Sequence, residues 1–136
     1  MNRKLLAGVA CAVSSAVSGL GGTALHAQAS KPVQQVVLKQ DMSIPGREVI
    51  MAEVEMPPGS SEGRHSHPTA ELYGFVIEGI VDSQVEGKER VRLKPGDHFH
   101  FAPGQVHENG NSGATAAKTY VVLDAEKGKP LTTPAP

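Results

Sequence analysis

The sequence predicts an all-β domain, a closed β-sandwich or barrel, from three observations. Apolar and polar residues alternate along most segments after residue 30, and β-branched residues are frequent in them. The chain carries Gly 15 and Pro 10, and turn-forming residues recur about every 8 to 12 positions. No segment has a convincing helical period. Roughly eight short strands separated by tight turns are typical of a sandwich or barrel.

The individual strands follow from this alternation. We predict strands at 33–40, 47–56, 72–87, 90–93, 98–102 and 114–125. The segment 72–87 is one long strand or two short ones, with Gly79 at a bend or bulge. A hairpin turn is expected around Gly87, and the KPGD and PGQ stretches are predicted to be turns.

The first 29 residues have a different composition. A short basic start, MNRK, precedes an uncharged run of apolar and small residues that ends in Ala27-Gln28-Ala29. This pattern predicts a secretory signal peptide over 1–29, cleaved after Ala29 or Ala27, and a periplasmic location. An uncleaved membrane anchor is the alternative, which the Gly and Ser content of the run disfavours. The only Cys would leave with the signal peptide, which excludes disulfides and thiol chemistry in the mature protein.

The remaining length fits one domain with a modest core. We expect an N-terminal strand and linker at 30–44, a domain at 45–125 and a loose C-terminal tail at 126–136, which is rich in Lys, Pro and Thr. The formal net charge of -1 gives no basic patch that would indicate nucleic-acid binding. No membrane association is expected after removal of the signal peptide.

The stretch GSSEGRHSHPTAE places two histidines, His65 and His67, one residue apart. In a strand, such residues point to the same face, so both imidazoles would enter the same space. Glu71 follows closely, and His107 opens the strand after the Pro103-Gly104 turn. Imidazole and carboxylate together suit divalent transition metals. The alternative is a pair of surface histidines in a polar loop.

Around these residues the sequence resembles the cupin family. The first cupin motif is Gly, five residues, His-x-His, three or four residues, Glu, six residues and Gly. Here Gly59 is followed by five residues, then His65 and His67, then three residues and Glu71. The closing glycine, Gly79, comes after seven residues instead of six.

The second cupin motif is Gly, five residues, Pro-x-Gly, two residues, His, three residues and Asn. Gly96 begins the matching stretch, which continues with Ala102-Pro103-Gly104, His107 and Asn111. Ala102 stands where Pro is usual, and the other spacings agree. Both motifs occur in the right order, and the resemblance covers about 45–125, which makes it specific.

The resemblance implies a cupin double-stranded β-helix, a jelly-roll β-barrel with the metal inside. It implies that His65, His67, Glu71 and His107 bind one divalent transition metal: Fe, Mn, Ni, Cu or Zn. Asn111 belongs to the motif but is not expected to be a ligand. A homodimer is also expected, with the strand at 33–40 as the edge that pairs or swaps.

Two kinds of function remain open at this point. Three His and one Glu leave coordination positions free for water, O2 or a substrate, which favours a metal-dependent dioxygenase, isomerase or lyase acting on a small oxygen-rich molecule. The alternative is a non-catalytic module that binds metal or a small ligand. No catalytic residue is assigned.

Several other residues receive structural predictions. His98 and His100 are expected to point outward while Phe99 and Phe101 point inward; the reverse arrangement would put both histidines in the cavity. Tyr73, Phe75 and Tyr120 are expected in the core or cavity wall, and Arg64 in solvent.

Overall fold

The computed structural model describes residues 30–136, so the predicted signal peptide at 1–29 lies outside the described residues. Within this part of the chain, no helix is long and apolar enough to cross a membrane. Residues 30–136 form ten strands: β1 (Val33–Asp41), β2 (Arg47–Met56), β3 (His65–Ser66), β4 (Ala70–Glu78), β5 (Val81–Val85), β6 (Val91–Leu93), β7 (His98–Phe101), β8 (His107–Gly110), β9 (Ala117–Glu126) and β10 (Thr133–Pro134).

The strands form two five-stranded sheets. The first sheet has the order β1-β2-β9-β4-β7, and the second has the order β10-β3-β8-β5-β6. Every pairing between these strands is antiparallel. Neighbours in the sheets are mostly distant in sequence, which is the crossover pattern of a jelly-roll barrel. The prediction of an all-β jelly-roll fold is confirmed.

The core lies between the two sheets. Burial alternates residue by residue along β2 and β9, because one face of each strand packs inward and the other meets solvent. Phe101, Met56 and Leu123 are among the largest side chains that are fully buried. Their removal from water supplies the main driving force for folding.

The bend predicted at Gly79 separates two strands, β4 and β5. Gly79 has φ +69°, and a Cβ there would lie 2.4 Å from the carbonyl oxygen of Ala116. Both the conformation and the close approach of the β9 end require glycine. The hairpin turn at Gly87 also forms, between β5 and β6.

The aromatic residues of β4 differ from the prediction. Tyr73 and Phe75 are 49% and 50% exposed and lie on the outer face of the first sheet. The reason is the register of β4, in which Leu72, Gly74 and Val76 point inward instead. The space over Gly74 is filled by the ring of Phe99, which would lie 2.0 Å from a Cβ at that position.

The C-terminal segment also differs from the loose tail that the composition predicts. Thr133 and Pro134 pair with β3, and the N–H of Ala135 donates to the carbonyl of Arg64 at 2.9 Å. Leu131 packs against the hydrophobic core. These contacts place the end of the chain beside the histidine-bearing strand.

Strand β1 pairs with β2 along its length, yet all nine of its residues are exposed. Four of them are large and apolar: Val33, Val36, Val37 and Leu38. The first sheet therefore ends in an apolar edge strand.

Candidate metal site

Three histidines meet between the sheets. His65 lies directly opposite His107 in the antiparallel pair of β3 and β8, and His67 follows β3 by one residue. His67 and His107 are buried, at 6% and 2% exposure, and His65 is half-buried. One ring nitrogen from each lies within 4.8 Å of the others, so the group is able to hold a metal ion.

The orientation of the three rings is fixed from outside the cluster. Each Nδ1 contacts a backbone carbonyl: His65 that of Gly63 at 2.8 Å, His67 that of Leu131 at 2.8 Å, and His107 that of Gln105 at 2.9 Å. Carbonyl oxygens only accept hydrogen bonds, so each Nδ1 donates and carries the proton.

This tautomer leaves the lone pair of each Nε2 available. The Nε2 atom of His67 is buried and has no hydrogen-bond partner, an arrangement that is costly unless something binds there. Metal-binding histidines almost always use their second nitrogen to donate in this way. The three histidines therefore fit a metal ion.

Burial favours the neutral form of His67 and His107. It lowers the pKa of His107 from 6.5 to about 4, with the hydrogen bond to Gln105 opposing the shift. Burial also lowers the pKa of His67, against the hydrogen bond to Leu131. Neutral imidazole is the form that coordinates metals. The ring of Phe101 stacks on His107 with a centroid distance of 3.7 Å, which supports the position of that histidine.

Glu71, the fourth predicted ligand, does not join the histidines. It lies on the outer face of the first sheet, directly opposite Asp124 in the antiparallel register of β4 and β9. There its Oε1 accepts a hydrogen bond from His100 Nε2 at 2.7 Å. Because side chains alternate along β4, the next residue, Leu72, is the one that lines the cavity.

The spacing between Glu71 and Gly79 in the sequence agrees with the outward position of Glu71. Seven residues separate Glu71 from Gly79, where the cupin motif has six. Leu72 is the residue that six residues separate from Gly79. A shift of one position along a strand transfers a side chain to the opposite face.

The outward orientation of His98 and His100 is confirmed, since Phe99 and Phe101 are 8% and 2% exposed. Asn111 has a structural role, because its Nδ2 donates to the carbonyls of Met56 and Thr115, at 2.8 Å each. It joins β8 to the neighbouring loops and is not part of the metal cluster.

A cavity of about 640 Å³ opens beside the three histidines. This volume is within the range of small-molecule sites. One wall is apolar and comes from the first sheet: Val54, Leu72, Val121 and Leu123. The polar lining includes two residues beside the histidines that sequence reasoning missed, Glu62 and Asn109.

Glu62 belongs to the loop between β2 and β3 and keeps contact with solvent through the cavity mouth. The surrounding protein atoms raise the pKa of its carboxyl by removing water, while the charge of His65 and a hydrogen bond from Asn109 act in the opposite direction. In the sequence, the one feature that connects Glu62 with the site is its position three residues before His65.

The fold and the three-histidine cluster define a β-barrel with an internal site able to bind metal. The sequence profile of the Cupin domain family matches residues 52–123, more than half of the chain. The protein belongs to the cupin family.

Curated relatives support this assignment. The chain is 30% identical over 80 residues to tetracenomycin polyketide synthase protein TcmJ of Streptomyces glaucescens, covering 59% of this chain and 53% of the relative. It is 31% identical over 78 residues to (R)-mandelonitrile lyase of Granulicella tundricola, covering 57% and 59%. The matches thus span a little over half the length of these relatives.

A solved structure with the same fold comes from Klebsiella pneumoniae and contains a double-stranded β-helix domain. It has a TM-score of 0.67 and 24% identity, and covers 80% of this chain and 88% of its own. At this identity the likeness extends to the fold alone.

Proposed function

We propose that this protein is a cupin that binds one divalent transition metal ion through His65, His67 and His107 and uses it to bind and transform a small oxygen-rich molecule. The observation that carries the proposal is the common geometry of the three rings. Each Nδ1 donates to a backbone carbonyl, which leaves the lone pair of each Nε2 available, and one ring nitrogen of each histidine lies within 4.8 Å of the others.

Three protein ligands leave coordination positions for an external ligand, as in catalytic and not structural metal sites. A bound ion would act there as a Lewis acid on a ligand oxygen. The protein's own contribution is to hold the three rings and to exclude bulk water with the apolar wall formed by Leu72, Val121 and Leu123.

The reaction class that we propose is that of a metal-dependent dioxygenase, isomerase or lyase. Support for a lyase comes from the relative named (R)-mandelonitrile lyase, which shares 31% identity over 78 residues. A non-catalytic metal- or ligand-binding module is the second candidate. Substrate-dependent O2 uptake, or conversion of any member of a panel of hydroxy, oxo and cyanohydrin compounds, would support the enzyme; metal binding without turnover on that panel would support the module.

Metal content is the first test of the site. The untagged protein should contain about one equivalent of Fe, Mn, Ni, Cu or Zn by inductively coupled plasma mass spectrometry. His65→Ala and His107→Ala should lose it. His98→Ala, which alters an exposed histidine on the outer face, should retain it. Wild-type protein that neither contains nor takes up any of these ions would disprove the proposal.

We also propose that the protein is exported to the periplasm, because residues 1–29 have the composition of a signal peptide. Mass spectrometry of the protein from a periplasmic extract should give a mature N-terminus at Ser30 or Gln28. An intact Met1 in the membrane fraction would indicate an anchor instead.

A homodimer that pairs through β1 is the third part of the proposal. The exposed apolar side chains on this edge strand, from Val33 to Leu38, support it. Sedimentation should show a dimer at micromolar concentration, and Val36→Lys should shift it toward the monomer. A wild-type monomer under these conditions would refute this part.

A further inference from the structure

Because Glu71 lies on the outer face, the cavity lacks the carboxylate that the motif predicts. Glu62 supplies a different one. It lines the same cavity as His65, His67 and His107, and it reaches the cavity from the loop before β3. The cavity therefore does contain an acidic side chain, on the side opposite β4.

A backbone contact with Asn109 holds Glu62 in place. The backbone N–H of Glu62 donates to the carbonyl of Asn109 at 3.0 Å. Asn109 is only 4% exposed and lies two residues after His107 on β8, on the same inward face. Its Oδ1 is buried without a partner. Both side chains thus present acceptor oxygens beside the histidines.

Glu62 lies next to the cluster but is not part of it. The group whose ligand atoms are all within 4.8 Å of one another consists of the three histidines, among the described residues. The charge of Glu62 interacts with His65, the most exposed of the three. The carboxylate therefore lies beside the most exposed of the three histidines, within the same cavity.

We propose that Glu62 faces the ligand bound at the three-histidine site and selects protic neutral or cationic ligands against small anions. The inference rests on the proposed metal site. A carboxylate only accepts hydrogen bonds and repels a second negative charge. Two cations, Lys31 and Arg64, also line the cavity. Arg64 is paired with Glu86 at 2.6 Å, and Lys31 is exposed to solvent, where its charge is screened.

The test uses the full-length mature protein loaded with cobalt(II), whose visible spectrum reports ligands that reach the metal. Azide, an anion, and imidazole, a neutral N–H donor, are titrated at about pH 8, well above the ordinary pKa of a carboxyl. Glu62→Gln should bind azide about tenfold more tightly than wild type, since one nearby negative charge is removed. Glu62→Asp keeps the charge and should behave like wild type.

Glu71→Gln is the matched control, because it removes the same charge from the outer face. It should leave azide affinity unchanged. Equal azide affinity in wild type and Glu62→Gln, or an increase with Glu71→Gln instead, would overturn the role of Glu62. A loss of cobalt in Glu62→Gln would also overturn it, since Glu62 would then be a ligand. Wild-type protein that takes up no cobalt would disprove the metal site itself.

Discussion

Glu71 and Leu72 are neighbours in the chain but lie on opposite faces of β4: the carboxylate contacts His100 outside the barrel, and the leucine lines the cavity. The site thus consists of three imidazoles facing an apolar wall. An ion held there by the three histidines would keep its full positive charge within the ligand set, which strengthens its action as a Lewis acid.

The first prediction concerns the carbonyl that orients His67. Deletion of residues 131–136 removes the Leu131 carbonyl that accepts the Nδ1 proton. We expect metal affinity to fall about 10- to 100-fold, as for the loss of other groups that orient metal-binding histidines. Isothermal titration with Zn²⁺ measures this.

Leu131→Ala is the control for that deletion, because it keeps the backbone carbonyl while removing the side chain that packs on the core. Its metal affinity should stay close to that of wild type. If the deletion variant binds Zn²⁺ as tightly as the intact chain, Leu131 does not orient the site.

The second prediction concerns pH and the metal-free protein. His107 titrates near 6.5 when unfolded and at about 4 when folded, because burial lowers its pKa. Between these values the unfolded chain binds more protons, so stability falls as the pH drops from 6.5 to 4. The loss is roughly 3 kcal/mol at most, at about 1.4 kcal/mol per pKa unit.

Urea unfolding at several pH values checks this, with His107→Phe as the comparison. Phenylalanine keeps the aromatic packing against Phe101 but does not titrate. The variant should lose less stability on acidification than wild type. Parallel pH profiles would show that His107 does not contribute to the acid sensitivity.

The third prediction concerns metal removal. An ion that binds the folded protein raises its stability by mass action. Treatment with a chelator should lower Tm by at least about 5 °C, and added metal should restore it. His107→Ala should show the same Tm with and without chelator. A wild-type Tm that does not respond to the chelator would contradict tight binding at this site.

The fourth prediction concerns the packing of β4. In Gly74→Ala, the new Cβ would lie 2.0 Å from Phe99 Cζ, so the ring or the strand must move. We expect a loss of about 3 kcal/mol in the free energy of unfolding. Gly46→Ala, where nothing lies within 4 Å but φ is +78°, should cost only about 1 kcal/mol, from backbone strain. Equal costs would show that Phe99 adapts easily.

The sequence predicted the barrel and the three histidines that meet between its sheets, because those features depend on local rules. Alternation predicts strands, and the i, i+2 spacing of His65 and His67 places both on one face. His107 was found from the second motif. Glu71 was expected in the cavity because it is the glutamate that follows His67. The interval from Glu71 to Gly79 is one residue longer than in the cupin motif, which agrees with its position on the outer face.

Other features depend on contacts between distant parts of the chain. Leu131 and His67 are 64 positions apart, and composition alone gave no reason to expect the C-terminal segment beside the site. The exposure of Tyr73 and Phe75 follows from the fit of Phe99 over Gly74, which is a property of two paired strands. Glu62 lies in a loop without period, so no pattern indicated its orientation.

The 64-position separation of His67 from the carbonyl that orients it has a consequence for how the proposed site would be loaded. An unfolded chain offers only a loose His-x-His chelate, since His107 and Leu131 are brought to it by closure of the barrel. An ion bound at the proposed site would therefore enter after folding and would not assist its early steps. The metals available where the barrel closes would then select the ion.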